Sequence, residues 1–399
     1  MNIGLSLSGG GYRATVFHLG LLARLAESQV LEQVTVLSTV SGGSLCAGLL
    51  HGLNQMQWPT SQDYIEKILP QAHHFLTTTD LQKDLVSRTL GSLRTLFGSR
   101  ADDLSALIQK QWGITARLNE LPSRPRWLIN ATCYETGKNW RFEKFRMGDY
   151  VFGYSRDTDL PLSDAMAASA GFPVGIGPLE LVTTTRKWYQ YAPGIAAPTI
   201  GESQVAELNK HEVQPAYSKV HLWDGGVYDN HGLEGVHDFV KGWQLGIDFL
   251  IVSDAAGRSK PEAYSWGPKA ILRLMTGIMM DQIRSLRSRA IIERFINFQD
   301  KGIFAQTGNT CDKIIRSAGR GQNLPLTEIE AQIAKVCPGS LSKEEAQRVA
   351  EMPTVIRKLT EEEYERLFHH GFEVADGLLY AYYPENFDFI GYANSRWKS

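Results

Sequence analysis

Residues 3–14, IGLSLSGGGYRA, and residues 34–50, VTVLSTVSGGSLCAGLL, decide the fold. In each, a short hydrophobic run stops at a Ser/Gly cluster and an apolar stretch follows. After the first cluster, Val16, Leu19, Leu22 and Leu25 recur at helical spacing. Strand, turn and helix, twice over, make the β-α-β-α opening of a parallel sheet covered by helices. Glycine costs backbone entropy, so three in a row at a strand end mark a tight turn or a bare backbone that something approaches.

Working outward, the chain of 399 residues is 43 % hydrophobic and 21 % charged, which suits a folded protein with a sizeable core. A net charge of −2 supplies no global basic field, so nucleic acid is not an expected partner. Cys46, Cys133, Cys311 and Cys337 form neither a C-x-x-C pair nor a dense disulfide framework, and read as four packed, reduced thiols in a cytoplasmic protein. No leader and no membrane-spanning apolar run is readable, so any membrane contact is peripheral.

Residues 59–121 read as a helical insertion that opens on a capping box, Thr60 with Asp63. Residues 126–145 read as a strand pair turned at Gly137, and 184–219 as a long loop. VHLWDGGVYDN and DFLIVSDAAG read as strands, each ending in an acidic and small-residue cluster. Beyond residue 260 the pattern is mainly helical.

The first turn, Gly9-Gly10-Gly11-Tyr12-Arg13, offers backbone N–H groups at a helix start and is an anion site. A dinucleotide pyrophosphate fits the Gly9-x-Gly11-x-x-Ala14 spacing, but Ser38 stands where that reading wants an acid. A triphosphate loop lacks its G-K-[ST]. An oxyanion formed during acyl transfer predicts a nucleophile nearby. Ser41, between a strand and a helix in Thr39-Val40-Ser41-Gly42-Gly43, fits a nucleophile elbow with Thr39 in place of the first glycine; a helix N-cap is the alternative. Its base could be His231, His369 or His370, yet too few strands precede the elbow for an ordinary α/β-hydrolase triad. Asp224, followed by Gly225-Gly226, is the better candidate, with an Asx-turn as its structural alternative and Asp254 as rival.

SLSGGGYRA, TVSGGS and WDGG, in this order, resemble the oxyanion segment, nucleophile elbow and D-G-G motif of the patatin-like phospholipases; SDAMAASAGFPVGIGPLEL resembles their small-residue helix and proline stretch. The resemblance implies an α/β fold whose mainly parallel central sheet is sandwiched by helices. It implies a core over 3–256 containing the 59–121 insertion, and a mainly helical extension over 257–399. It implies a phospholipase A-type lipid acyl hydrolase with a Ser41–Asp224 dyad, an oxyanion hole at Gly9, Gly10 and Gly11, and support from Arg13, Gly42, Gly43, Gly225 and Gly226. Neither Thr39 nor Ala14, in glycine positions of the family pattern, removes a reacting group. No cofactor or metal is implied. The implied partner is a phospholipid membrane surface, met peripherally from the cytoplasm. A small-molecule or protein activator and a homo-oligomer stay open, as do a dinucleotide-binding oxidoreductase and a non-catalytic lipid-binding module.

Two stretches could meet lipid. Residues 271–296 align Leu272, Met275, Met279, Ile283 and Leu286, with Arg273, Arg284, Arg287, Arg289 and Arg294 mostly elsewhere; the alternative is a core-packed helix with a solvated basic face. The insertion offers Trp58, Phe75, Leu96 and Phe97 as a lid or cap.

Overall fold

The computed structural model describes residues 1–90, 100–173, 175–191, 210–239, 242–243, 246–257, 261–297 and 300–396. Strand β1 (Ile3–Leu7) runs through the triple glycine into helix α1 (Gly11–Glu27), and β2 (Val34–Thr39) runs through Ser41 into α2 (Gly42–Leu53). Then come β3 (Arg126–Cys133), β4 (Lys138–Glu143), β5 (Arg146–Asp149), β6 (Gly153–Ser155) and α3 (Leu162–Ser169). β7 (Leu179–Val182), β8 (Trp188–Tyr191), β9 (Lys210–Val213), β10 (Lys219–Asp224) and α4 (Gly226–Asp229) follow. The last elements that matter here are β11 (Phe249–Asp254), α5 (Met280–Asn297), β12 (Gly302–Gln306) and α6 (Glu361–Tyr382).

Among the described residues these strands form one mixed sheet in the order β12-β11-β1-β2-β3-β4-β5-β6-β8-β9, with β10 bridging β3 and β7. The centre, β12 to β3, is parallel, and every pairing beyond it is antiparallel. Strand alternation sends Ile3, Leu5, Leu7 and Leu37 into the large core with α1, α2 and α6; Val36, Leu250 and Val252 face the opposite side, where Ile291 of α5 closes a second core. The expected sandwich of helices on a mainly parallel central sheet holds.

The described part of the insertion is helical, and Thr60 caps its start by accepting from the Asp63 N–H at 3.0 Å. Trp58 and Phe75 pack against the large core, while Leu96 and Phe97 lie outside the described residues. Three expectations need correction. The segment 184–219, expected as a long loop, contributes β8 and β9, paired with each other, at its described ends, while residues 192–209 between them lie outside the described residues. Cys311 and Cys337 are joined as a disulfide, Cα atoms 5.8 Å apart, and only Cys46 and Cys133 are free; the cysteine argument for a cytoplasmic location therefore falls away. The helix at 271–296 is turned opposite to a core-packed one: Leu272, Met275, Met279 and Leu286 are exposed, while Arg284 is buried and Arg287 is held inward by Asp229. No described helix is long and apolar enough to cross a membrane.

Candidate active site

Pairing along β3 explains why residues so far apart in sequence meet. β2 runs parallel to the first half of β3 and stops with Thr39 opposite Ile129. β10 arrives from the other direction, antiparallel to the second half, and stops with Asp224 opposite Ala131. The two strand ends thus face each other across Asn130. Its side-chain amide donates to Thr39 O and Ser38 Oγ, both at 2.9 Å, and so ties β2 at this point. A Cβ on Gly225 would come within 2.5 Å of Asn130 O, so the chain after Asp224 turns here only as glycine.

Ser41 occupies this gap with φ 48° and ψ −114°, a positive φ that an L-residue adopts at a cost of roughly 1–3 kcal/mol. That sharp turn lifts its side chain off the sheet, where it is half-buried and near enough to the Asp224 carboxylate to lower that group's pKa. The Ser41 N–H donates to Ser169 Oγ at 3.0 Å, and as the N-cap of α2 Ser41 makes no side-chain capping bond. Thr39, in the glycine position of the elbow, shares a hydrogen bond with Ser44 Oγ (2.8 Å) and accepts one from Trp127 Nε1 (2.9 Å); Ser44 in turn meets Ser169 at 2.8 Å. Threonine is accommodated because its hydroxyl belongs to this buried chain.

Asp224 is buried, and desolvation pushes its carboxyl up to about 6, against the opposing effects of the Gly226 N–H (2.7 Å) and the Ser41 hydroxyl. The rival, Asp254, is also buried, but His231 at 3.4 Å and the nearby Arg284 outweigh that burial and hold it well below the usual carboxylate range. It accepts from Gln306 Nε2 (2.9 Å) and is a paired anion. His231 is spent on Asp254, and His370 accepts the Gly308 N–H at 2.8 Å. His369 stacks on Tyr392 with ring centroids 3.9 Å apart. These last two lie inside α6, with His370 fully buried. No histidine among the described residues bonds to Ser41.

The triple glycine lies beside the serine: a Cβ on Gly42 would overlap Gly11 O, so the two turns touch backbone to backbone. Gly43 N–H donates to Ser8 O at 3.1 Å and stitches them together. Gly9, expected as an oxyanion donor, gives its N–H to Asn230 O at 3.1 Å and is engaged. The N–H groups of Gly10 and Gly11 have no protein partner among the described residues. Tyr12 N–H, next in line, is taken by Val355 O at 2.8 Å, so the start of α1 is partly covered by chain where a pyrophosphate would lie. Arg13 is buried and fastens this cover: its guanidinium donates to Ala255 O (3.0 Å), Met352 O and Thr354 Oγ1 (3.1 Å). Burial and the neighbouring Arg284 lower its pKa to about 10.

Asn130, Ser169 and Asn230 escaped the sequence reading. Ser169 and Asn230 stand inside quoted segments, two short steps from a recognised proline stretch and D-G-G, but their partners come from strands far along the chain.

A family model described as patatin-like phospholipase matches residues 5–237. No curated protein sequence matches the chain. Among solved structures, human GIVD cytosolic phospholipase A2 aligns with a TM-score of 0.52 at 14 % identity, over 95 % of this chain and 60 % of that one. VipD from Legionella pneumophila aligns with a TM-score of 0.38 at 13 % identity, over 95 % of this chain and 66 % of that one. The chain therefore spans about three-fifths of the human enzyme's length, and the likeness to it concerns the fold.

Proposed function

The chain belongs to the patatin-like phospholipase family, and from that premise we propose that it is a phospholipase A-type acyl hydrolase working through Ser41 and Asp224 without a histidine. The observation that carries this reading is the approach of the β2 and β10 ends across Asn130, with the half-buried Ser41 just after one and the buried Asp224, its pKa raised to about 6, at the end of the other. A carboxylate at its ordinary value is a weak base; raised toward neutrality and still ionised at pH 7, it can take a proton in the transition state.

In the first step Ser41 Oγ bonds to the ester carbonyl carbon and its proton passes to Asp224. The carbonyl oxygen becomes an oxyanion facing the N–H groups of Gly10 and Gly11, each worth about 3–4 kcal/mol in such a role. Collapse breaks the ester C–O bond, and Asp224 returns the proton to the departing lysophospholipid alcohol. Water then attacks the acyl-serine with Asp224 again as base, and the fatty acid leaves. Arg13, Gly42, Gly43 and Gly225 keep the turns in contact, and the Gly226 N–H holds the Asp224 carboxylate at 2.7 Å.

A dinucleotide-dependent oxidoreductase is disfavoured, since Gly9 and Tyr12 have already committed their N–H groups to the chain. Labelling with a fluorophosphonate probe tests the proposal, alongside mass analysis of products from mixed phospholipids. Wild type is expected to label and to release fatty acid and lysolipid; Ser41→Ala abolishes both. Labelling retained in Ser41→Ala refutes the nucleophile, and a wild type that neither labels nor cleaves indicates a non-catalytic lipid-binding module.

A further inference from the structure

Residues 261–279 form an arm that the fold leaves uncovered. No residue of Pro268–Leu272 or of Arg273–Met279 is buried. Ile271, Leu274, Met275, Ile278 and Met279 are 45–60 % exposed, and at the base of the arm Tyr264 and Trp266 reach 74 % and 83 %. The two rings meet edge to face with centroids 4.9 Å apart. A contiguous apolar surface of this kind marks a contact with something outside the chain.

We propose that this arm seats the protein on an anionic lipid surface. Charge favours that occupant: residues 261–279 hold Lys269 and Arg273 against Glu262 alone, opposite in sign to the chain's net −2. At the base, Lys269 (2.8 Å) and Arg273 (2.9 Å) both reach the single carboxylate of Glu262, leaving the group cationic. A second copy would bring an identical cationic arm, whereas anionic headgroups neutralise it. Chemistry agrees: Trp and Tyr partition to the headgroup level, and the Met/Leu/Ile face suits the acyl boundary below it.

Position agrees as well. One helical turn beyond the arm, Arg284 donates to Gly257 O at 2.6 Å, and a Cβ on Gly257 would lie 3.1 Å from the Arg13 guanidinium that fastens the cover of the glycine turn. Arg287 reaches Asp229 at 3.5 Å and lies over the Tyr228 ring, so α5 is pinned to α4, the helix that follows Asp224. Lipid held by the arm is thereby held near the turns that carry Ser41 and Asp224. This last step rests on the ester-cleaving reading of that site; the docking itself does not.

The test compares wild type with Trp266→Ser and with the double variant Met275→Ser/Met279→Ser, all exposed positions whose change leaves the cores intact. Partition onto phosphatidylcholine vesicles with and without phosphatidylserine is read by flotation. Wild type is expected to prefer the anionic vesicles, salt is expected to weaken the preference, and each variant is expected to lose about tenfold or more in partition. Hydrolysis of vesicle lipid falls in parallel, while fluorophosphonate labelling of Ser41 and cleavage of a soluble short-chain ester stay unchanged. Wild-type failure to partition, or full partition by the variants, overturns the proposal. A wild-type dimer that the variants convert to monomer with partition unaffected assigns the arm to a second copy. Absence of labelling with normal partition faults the catalytic reading and leaves the arm standing.

Discussion

Asp224 is held at a pKa of about 6 by burial, above its ordinary 3.8, and two measurable consequences have opposite signs. Activity needs the ionised form, so kcat/KM is expected to fall below pH 6 with a single proton taken up, as a pH–rate profile on a soluble ester will show. Stability runs the other way. Between the unfolded and folded pKa values the native state keeps a proton that the unfolded chain has released, so stability is lost as pH rises through that window, by about 3 kcal/mol in all. Asp224→Asn has no charge to bury, and is expected to be inactive yet to show a higher Tm than wild type at pH 8, with the difference vanishing near pH 4. Ser169 carries a second prediction. Its Oγ accepts the Ser41 N–H (3.0 Å), its carbonyl accepts the Gly225 N–H (3.3 Å), and Gly171 O accepts the Asp224 N–H (3.1 Å), so one three-residue segment grips both ends of the proposed dyad. Ser169→Ala is expected to lower kcat about tenfold or more with little change in KM, because it loosens the geometry without touching substrate. Ser169→Thr, which restores a hydroxyl, is expected to recover part of that loss.

Helix α1 shows at the scale of elements how far local sequence reaches. Its apolar spacing and the glycine turn before it are legible, because strand end, turn and helix start are neighbours in the chain. What covers it is not. α6, more than three hundred residues later, lies so close that a Cβ on Gly20 would overlap Phe368 O, and Arg24 is wholly buried against Asp376. Periodicity in LTEEEYERLFHHGF announces a helix but not that its histidines face inward. The same gap hid Asn130, whose task exists only once β2 and β10 have both paired with β3. It also inverted α5: amphipathy names two faces, and the inward ion pairs of Arg287 and Arg294 with Asp229 and Asp300 decide which turns in. The α1–α6 contact yields a prediction of its own. Asp376→Ala strands a buried guanidinium and is expected to cost about 3–5 kcal/mol in chemical denaturation, whereas the double replacement Arg24→Met/Asp376→Leu is expected to recover most of that loss.

For the molecule as a whole, the resemblance over residues 3–256 invites a division into a hydrolase core and an extension packed on it. Contacts argue that the two fold as one. β12 adds to the central sheet beside β11, with Val252 opposite Phe304, so without it the edge of β11 loses its partner. α6 supplies Leu367, Phe368, Phe372, Val374, Ala375 and Leu379 to the same core as Leu5 and Phe17. Residues 352–355 then reach back to take the Arg13 guanidinium and the Tyr12 N–H, so the turn that presents Gly10 and Gly11 is itself held by the C-terminal third. Losing several buried side chains at about 1.5–3 kcal/mol each exceeds the whole stability of a typical domain. A chain ending at residue 256 is therefore expected not to fold: it should be recovered in aggregates, lack a cooperative unfolding transition and fail to label with fluorophosphonate. A monomeric 1–256 fragment with a sharp melt and a reactive Ser41 would show that the core is autonomous and the C-terminal third an accessory.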